Sequence, residues 1–215
     1  MEKNYKFDDL VEIMEKLREK CPWDKEQTHK SIRRNFLEET YEAVEAIDNE
    51  DFTLLQEELG DVMLQVVFHS KIASESGKFD IDDVCDGICK KLIYRHPHIF
   101  SDIEVKNTEE VLSNWDSLKK VEKNQKTTFD TLNSVAKSLP ALIRMEKVYS
   151  KAVKEGVETD EIGDICELSK EIEAGKVEKI PEMIYNLTKI CKKNNLDLEQ
   201  NIQEYINEYI NLQKK

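Results

Sequence analysis

Apolar residues recur at helical spacing along most of the chain. From Phe7 to Lys20 they fall at Leu10, Ile13, Met14 and Leu17, which is one face of an amphipathic helix. Pro22 disfavours helix at the residue before it, so the CPWD stretch at 21–24 should end this helix. The same periodicity predicts further helices over about 31–46, 52–74, 80–96 and 108–123. We find no segment with the alternation of a convincing strand.

A second helical block follows a polar stretch. EKNQKTT at 122–128 is typical of a linker, and helical periodicity resumes over 138–215. Six Gly and four Pro in 215 residues are too few for a many-turned β sandwich. We therefore expect an all-α protein, with a first helical domain at 1–122, a linker at 123–137 and a second helical domain at 138–215.

The chain is strongly acidic, with 32 Lys plus Arg, 45 Asp plus Glu and a net charge of −13. Such a surface repels nucleic acid and anionic membranes, so neither is an expected partner. The first residues lack the apolar core of a signal peptide, and no apolar run is long enough to span a bilayer. Five scattered cysteines indicate reduced thiols and a cytoplasmic location.

Two neighbouring predicted helices each carry a pair of carboxylates three positions apart. Glu39 and Glu42 form one pair, and Glu58 and Asp61 form the other. Residues at this spacing lie on nearly the same side of a helix. Glutamate pairs are usually solvated, but the helix around Glu58 is apolar apart from one strip, Glu58, Asp61 and Gln65. A helix that is apolar nearly all round is buried, so these carboxylates should face an interior cleft.

Four sheltered carboxylates require a compensating charge. Two of them about 5 Å apart repel by roughly 3 kcal/mol at an effective dielectric near 20, and clustering raises the pKa of each. A hard divalent cation with oxygen ligands, Mg²⁺ or Mn²⁺, fits best. Zinc would require His or Cys at this spacing. A di-iron site would require two Glu-x-x-His motifs, whereas we find one, from Glu26 to His29.

Positive charge and aromatic surface recur on the next two predicted helices. Lys91 and Arg95 are four apart, as are Trp115 and Lys119, so each pair shares a helix face. An aromatic ring can stack on a base, and fixed cations can hold phosphates. Each pair alone is also typical of a solvated or packed face, but beside a metal cluster they favour a nucleotide site. The predicted helix at 80–96 has an apolar stripe made of Ile81, Val84, Cys85, Ile88 and Leu92, and we expect Cys85 on this stripe to be a buried thiol rather than a zinc ligand.

Four stretches in order resemble the MazG family of nucleoside triphosphate pyrophosphohydrolases. They are CPWDKEQTHKSI, LEETYEAVEAI, EELGDVMLQVVF and KLIYRHPHIFSD, beginning at residues 21, 37, 57 and 91. The family signature is E-E-x-x-E, a spacer and E-x-x-D, and the match covers about Leu10 to Lys120. The resemblance implies a usually dimeric all-α bundle around Mg²⁺. It also implies hydrolysis of nucleoside triphosphates between the α and β phosphates, giving monophosphate and pyrophosphate.

The resemblance also implies roles for individual residues. The metal ligands would be Glu39, Glu42, Glu58 and Asp61. Glu38 and Glu57 would be catalytic carboxylates that help to activate water. The substrate would be held by Lys91, Arg95, Trp115, Lys119 and, from the CPWD marker, Trp23. Tyr94 stands where the family usually has an arginine.

The second block resembles the second repeat of two-domain members only at its start, over 138–158. Beyond it, Leu168 occupies a ligand position, lysines stand near the second acidic motif, and Tyr205 and Tyr209 replace the basic pair. We therefore expect a working first repeat and a degenerate second repeat, kept for packing or dimerisation. We expect an enzyme that hydrolyses nucleoside triphosphates to remove unwanted nucleotides from the cellular pool, and two alternatives stay open. One is specialisation for damaged or alarmone nucleotides, and the other is a non-catalytic nucleotide-sensing or scaffold protein.

Overall fold

The computed structural model describes residues 4–213, and within that range every regular element is a helix. The helices are α1 (Phe7–Lys20), α2 (Pro22–Glu26), α3 (Arg33–Asp48), α4 (Phe52–Glu75), α5 (Ile81–Arg95), α6 (Pro97–Phe100), α7 (Thr108–Glu122), α8 (Thr128–Asn133), α9 (Ala141–Lys154), α10 (Ile165–Glu173), α11 (Ile180–Lys193) and α12 (Leu198–Leu212), with a 3₁₀ turn at Val177–Lys179. The prediction of an all-α fold is confirmed. In the described range no helix combines the length and the apolar character needed to cross a bilayer.

The chain divides into two compact units, one up to Asn107 and one from Thr108 onwards. The first contains α1 to α6 and the second contains α7 to α12. Helix α7 thus belongs to the second unit, although sequence analysis placed it at the end of a first domain at 1–122. The repeat limits at 1–122, 123–137 and 138–215 describe sequence similarity rather than packing, and they stay a prediction.

The core of the first unit joins α1 to α4. Met14, Ile32, Val67 and Phe68 are buried together there. The Arg18 guanidinium, itself buried, donates from Nε to a Glu75 carboxylate oxygen at 2.8 Å and from Nη1 to the Gln27 carbonyl at 3.0 Å. Arg18 therefore fastens the end of α4 and the residues after α2 to α1, because a buried guanidinium must keep its donors paired.

The second unit is built around a polar cluster as well as an apolar core. Tyr149 and Tyr185 meet edge to face with ring centroids 5.8 Å apart. The buried Lys189 ammonium lies 5.0 Å from the Tyr185 ring centroid and donates to Glu158 at 3.0 Å. Tyr185 also donates to Glu158, at 2.7 Å. The polar groups of Tyr185, Lys189 and Glu158 are therefore paired with one another, which is what a stable buried network requires.

Helix α5 is less covered than its apolar stripe predicts. Ile88 and Leu92 are exposed, and so is Cys85. The expectation of a buried thiol at Cys85 is therefore wrong for a single chain. α5 packs against α4 and α6, and its stripe extends past the part that α4 covers.

Candidate metal centre

A short turn sets α3 and α4 side by side. Glu50 adopts a left-handed backbone with φ of 53°, and the Asp51 amide donates to the Ala46 carbonyl at 2.9 Å, which closes the C-terminus of α3. The Asp51 carboxylate then accepts from the Thr53 and Leu54 amides, each at 3.0 Å, and caps α4. The two helices therefore form a hairpin with a fixed register.

This register places the two acidic pairs opposite each other. Glu42 and Glu58 lie at equal sequence distances from Glu50, and so do Glu39 and Asp61. Both helices rise by the same amount per residue, so each pair comes level across the hairpin. The turn thus converts two motifs that are separate in the sequence into one cluster.

The structure brings Glu39, Glu58 and Asp61 together. One carboxylate oxygen from each lies within 4.8 Å of the others. Glu58 is buried, whereas Glu39 and Asp61 are half-buried. In the described part of the chain this is the only group of three or more His, Cys, Asp or Glu residues found close enough to share an ion.

Burial and mutual repulsion disfavour the ionised form of the carboxylates in this cluster. Burial raises the pKa of Glu58, and the carboxylates of Glu42, Asp61 and Glu39 raise it further. Burial likewise raises the pKa of Glu39, and Asp61 and Glu42 add to the effect. Three or four carboxylates held together without a compensating cation carry this cost because like charges disfavour each other's ionisation.

The residues fit a hard divalent cation. The Glu58 Oε2 atom is buried and accepts no hydrogen bond, which is a costly state for a carboxylate oxygen. All the available donors are carboxylate oxygens, the ligands preferred by Mg²⁺ and Mn²⁺. A cation held by Glu39, Glu58 and Asp61 would satisfy the orphaned oxygen and remove the repulsion.

The other predicted acidic residues surround this group. Glu42 is exposed and stands outside the set of three, but its charge acts on both Glu39 and Glu58. Glu38 is exposed and accepts a hydrogen bond from Arg34 Nε at 2.7 Å. Glu57 is exposed and acts on Glu58 only through its charge. Roles for Glu42 as a ligand and for Glu38 and Glu57 in activating water stay predictions.

The predicted substrate residues are spread over both units. Lys91 is exposed and Arg95 is buried near the end of α5, which packs on α4. Trp23 is 57% exposed on α2. Trp115 and Lys119 are half-buried on α7, in the second unit. The acidic cluster lies in the same unit as Lys91, Arg95 and Trp23. Contact of these three residues, and of the two on α7, with substrate stays a prediction.

Two further polar features lie on α4. Gln65 is buried, and its Oε1 atom accepts no hydrogen bond; its place in the polar strip with Glu58 was the only sequence signal for it. The His69 ring stacks on His29 with Nδ1 atoms 2.8 Å apart. Burial, followed by the neighbouring His29, lowers the pKa of His69. His29 thus contacts a histidine of α4. The Glu-x-x-His pattern from Glu26 to His29 did not indicate this contact.

The chain also resembles known proteins. Residues 27–100 match the MazG nucleotide pyrophosphohydrolase domain. A nucleoside triphosphate pyrophosphohydrolase/pyrophosphatase MazG from Thermotoga maritima is 34% identical over 220 residues, in a match that covers 97% of this chain and 84% of that one. The chain belongs to the MazG family. Glu39, Glu58 and Asp61 lie within the matched range.

Other MazG relatives are longer. The nucleoside triphosphate pyrophosphohydrolase of Escherichia coli (strain K12) is 43% identical over 164 residues, which are 75% of this chain and 62% of that protein. The Mycobacterium tuberculosis protein of the same name is 40% identical over 158 residues, 73% of this chain and 47% of that one. This MazG chain thus spans less than two thirds of the length of either relative. A crystal structure of a mazG-related protein from Thermotoga maritima has a TM-score of 0.47 and 26% identity, covering 53% of this chain and 98% of that chain.

Proposed function

We propose that this MazG chain is a Mg²⁺-dependent nucleoside triphosphate pyrophosphohydrolase. Water would add to phosphorus, the bond between the α and β phosphates would break, and the products would be a nucleoside monophosphate and pyrophosphate. The observation that carries the proposal is the buried, unpartnered Glu58 carboxylate beside Glu39 and Asp61. Relatives bear the name of this activity.

The acidic residues would do two kinds of work. Glu39, Glu58 and Asp61, joined by Glu42, would hold Mg²⁺, with Mn²⁺ as a substitute. The bound ion would neutralise phosphate charge and lower the pKa of a water molecule. Glu38 or Glu57 would accept the proton of that water. Glu38 would first have to give up its contact with Arg34.

The cationic and aromatic residues would position the nucleotide. Lys91 and Arg95 supply positive charge for the phosphates, and Trp23 presents an exposed ring for the base or sugar. Trp115 and Lys119 would add contacts of the same kind from α7. On a chain of net charge −13, such local positive charge is needed because the overall field repels a triphosphate.

We also propose that the protein is a homodimer in the cytoplasm. Leu59 and Met63 of α4 are exposed, and so are Ile88 and Leu92 of α5, which packs against α4. An apolar face of this kind on two packed helices is typical of a surface that a partner covers, and a second copy offers the same face in return. All five cysteines are free thiols, in keeping with a reducing compartment.

Turnover of a nucleotide panel tests the activity. Wild-type protein with Mg²⁺ should release pyrophosphate and monophosphate, and chelation should stop the release. Glu58→Gln removes one charge from the cluster, and Glu45→Gln makes the same change at an exposed position of α3. We expect loss of turnover in Glu58→Gln only. Release of a nucleoside diphosphate and orthophosphate would contradict the proposed cleavage site. Failure of the wild type to hydrolyse any common nucleoside triphosphate would contradict the substrate class.

A further inference from the structure

The second unit contains a cavity of about 780 Å³, built from α7, α8 and α9 with their connecting residues. Its size lies within the range of small-molecule sites, which is about 300–1,000 Å³. Every lining residue belongs to the second unit, so the acidic cluster of the first unit contributes nothing to it. Apart from Lys119, none of the residues assigned to the proposed hydrolysis lines this cavity.

The lining of the cavity is strongly basic although the chain is acidic. Two of the lining residues are carboxylates, Asp116 and Glu155, and six are lysines: Lys119, Lys120, Lys123, Lys147, Lys151 and Lys154. Lys154 contacts Asp116 at 2.5 Å, and Lys120 forms an ion pair with Glu155. The two carboxylates are thus engaged by two lysines, which leaves a net positive lining.

The positive charges crowd each other around Lys151. Burial lowers the pKa of Lys151, and the charges of Lys119 and Lys123 lower it further, whereas Asp116 and Glu155 offset only part of the effect. This is the converse of the Glu58 cluster, because here an anion would relieve the repulsion. The cavity therefore favours a negatively charged occupant.

The arrangement of the lysines indicates the kind of anion. Lys147, Lys151 and Lys154 follow one side of α9 over a length of about 10 Å, at about 1.5 Å per residue. Lys119, Lys120 and Lys123 line the cavity from the end of α7. Such a row of cations exceeds the size of one phosphate group and suits several linked phosphates. Serine hydroxyls such as that of Ser150 add donors, and Leu112 and Leu139 add an apolar wall.

We propose that this cavity is a second binding site, for an anion with two or more linked phosphates. Both inorganic pyrophosphate and the phosphate chain of a nucleotide have this chemistry. The site needs neither the acidic cluster nor a divalent cation, so it does not depend on the proposed hydrolysis. Lys119, to which the family resemblance assigns a contact with substrate, is one of the lining residues. Lys123 and Lys151 have no role in the proposed hydrolysis, so the test uses substitutions of these two lysines.

Calorimetric titration of the full chain with sodium pyrophosphate in EDTA tests the site. We compare the wild type with Lys123→Gln/Lys151→Gln and with the matched control Lys170→Gln/Lys193→Gln. The control removes the same charge from exposed positions of α10 and α11. Wild type and control should bind, and the cavity variant should bind about tenfold more weakly or worse. Circular dichroism and thermal unfolding establish that both double variants are folded.

Two further arms identify the ligand and separate this site from the metal centre. Orthophosphate should bind more weakly than pyrophosphate, and a non-hydrolysable triphosphate nucleotide should bind more tightly than pyrophosphate if the apolar wall receives its base. Glu58→Gln should bind pyrophosphate in EDTA as the wild type does. The inference is overturned if the wild type binds neither pyrophosphate nor the analogue. It is equally overturned if the control loses as much affinity as the cavity variant, or if Glu58→Gln abolishes binding. Absence of turnover would defeat the hydrolase and leave this binding intact.

Discussion

Glu58 in the first unit is buried and Glu158 in the second is half-buried, and their surroundings shift their pKa values in opposite directions. Glu58 stands among other carboxylates, and one of its oxygens has no donor. Glu158 accepts from the Tyr185 hydroxyl, the Thr159 amide and the Lys189 ammonium, and these contacts lower its pKa to about 2. The Glu58 carboxylate has no compensating cation among its neighbours, so a bound cation or a proton would relieve its charge, whereas the Glu158 carboxylate is compensated within the fold.

Other carboxylates of the second unit are also compensated by side chains of the fold. Leu168, which sequence analysis aligned with a ligand position of the family, is buried in the core. Lys176 pairs with Glu171 at 2.6 Å, and Lys179 pairs with Glu182 at 2.7 Å. Carboxylates near the corresponding motifs are thus engaged by lysines. This pattern supports the hypothesis that the second repeat is degenerate and serves structure rather than catalysis.

The largest expected effect separates the two glutamates by activity. Glu58→Gln should lower turnover by about a thousandfold or more, the scale seen when one member of a catalytic group is removed, because the metal loses its buried ligand. Glu158→Gln should leave the turnover of folded protein close to wild type. Rates are measured with saturating Mg²⁺ and compared per folded molecule. Equal losses in the two variants would contradict the division of roles.

A second comparison concerns stability. Lys189→Met should destabilise the second unit by about 3–5 kcal/mol, because it leaves the Glu158 charge without its cation. Lys193→Met changes an exposed lysine of the same helix and should cost little. Hydrogen exchange measured for individual peptides shows where stability is lost, and we expect faster exchange in α9 and α11. Equal exchange in the two variants would show that the buried ion pair contributes no stability.

A third comparison uses the metal itself. Mg²⁺ at about a hundred times its Kd should stabilise the wild type by about 2.7 kcal/mol, because it binds the folded state. Glu45→Gln should respond in the same way, and Glu58→Gln should not respond. Thermal unfolding with and without Mg²⁺ measures the shift. Stabilisation of Glu58→Gln as large as that of the wild type would place the ion elsewhere.

Sequence patterns predicted the helices and the acidic cluster well because both depend on local spacing. Helix α1 has the predicted limits, Phe7 to Lys20, and Pro22 begins α2 instead of continuing α1. Helix α3 begins at Arg33 rather than 31, because the Thr28 amide donates to Ser31 Oγ at 2.9 Å and holds a turn there. The equal distances of the acidic pairs from the turn were also readable in the sequence.

Features that join distant parts of the chain could not be predicted in this way. The lysines of the cavity come from α7, the residue that follows it and α9, with α8 between these helices in the sequence, and periodicity does not report which faces meet. The stacking of His29 on His69 depends on how the segment before α3 folds back on α4. Exposure of Cys85 was missed because a helical stripe predicts an apolar face, not whether the chain alone covers it.

The smallest expected effects are those of pH, and they should have opposite signs in the two units. The folded-state pKa of Glu158 lies below the ordinary value of 4.5, at about 2, so its stabilisation is present above pH 4.5 and is lost as the pH falls towards 2. The pKa of Glu58 is raised, so metal-free protein should gain stability as the pH falls towards 4.5. Urea unfolding in EDTA between pH 7 and 2 measures both changes. Glu158→Gln should flatten the acid loss and Glu58→Gln should reduce the earlier gain, since each variant removes one titrating carboxyl. Identical profiles for the two variants would mean that neither carboxyl differs from its unfolded state.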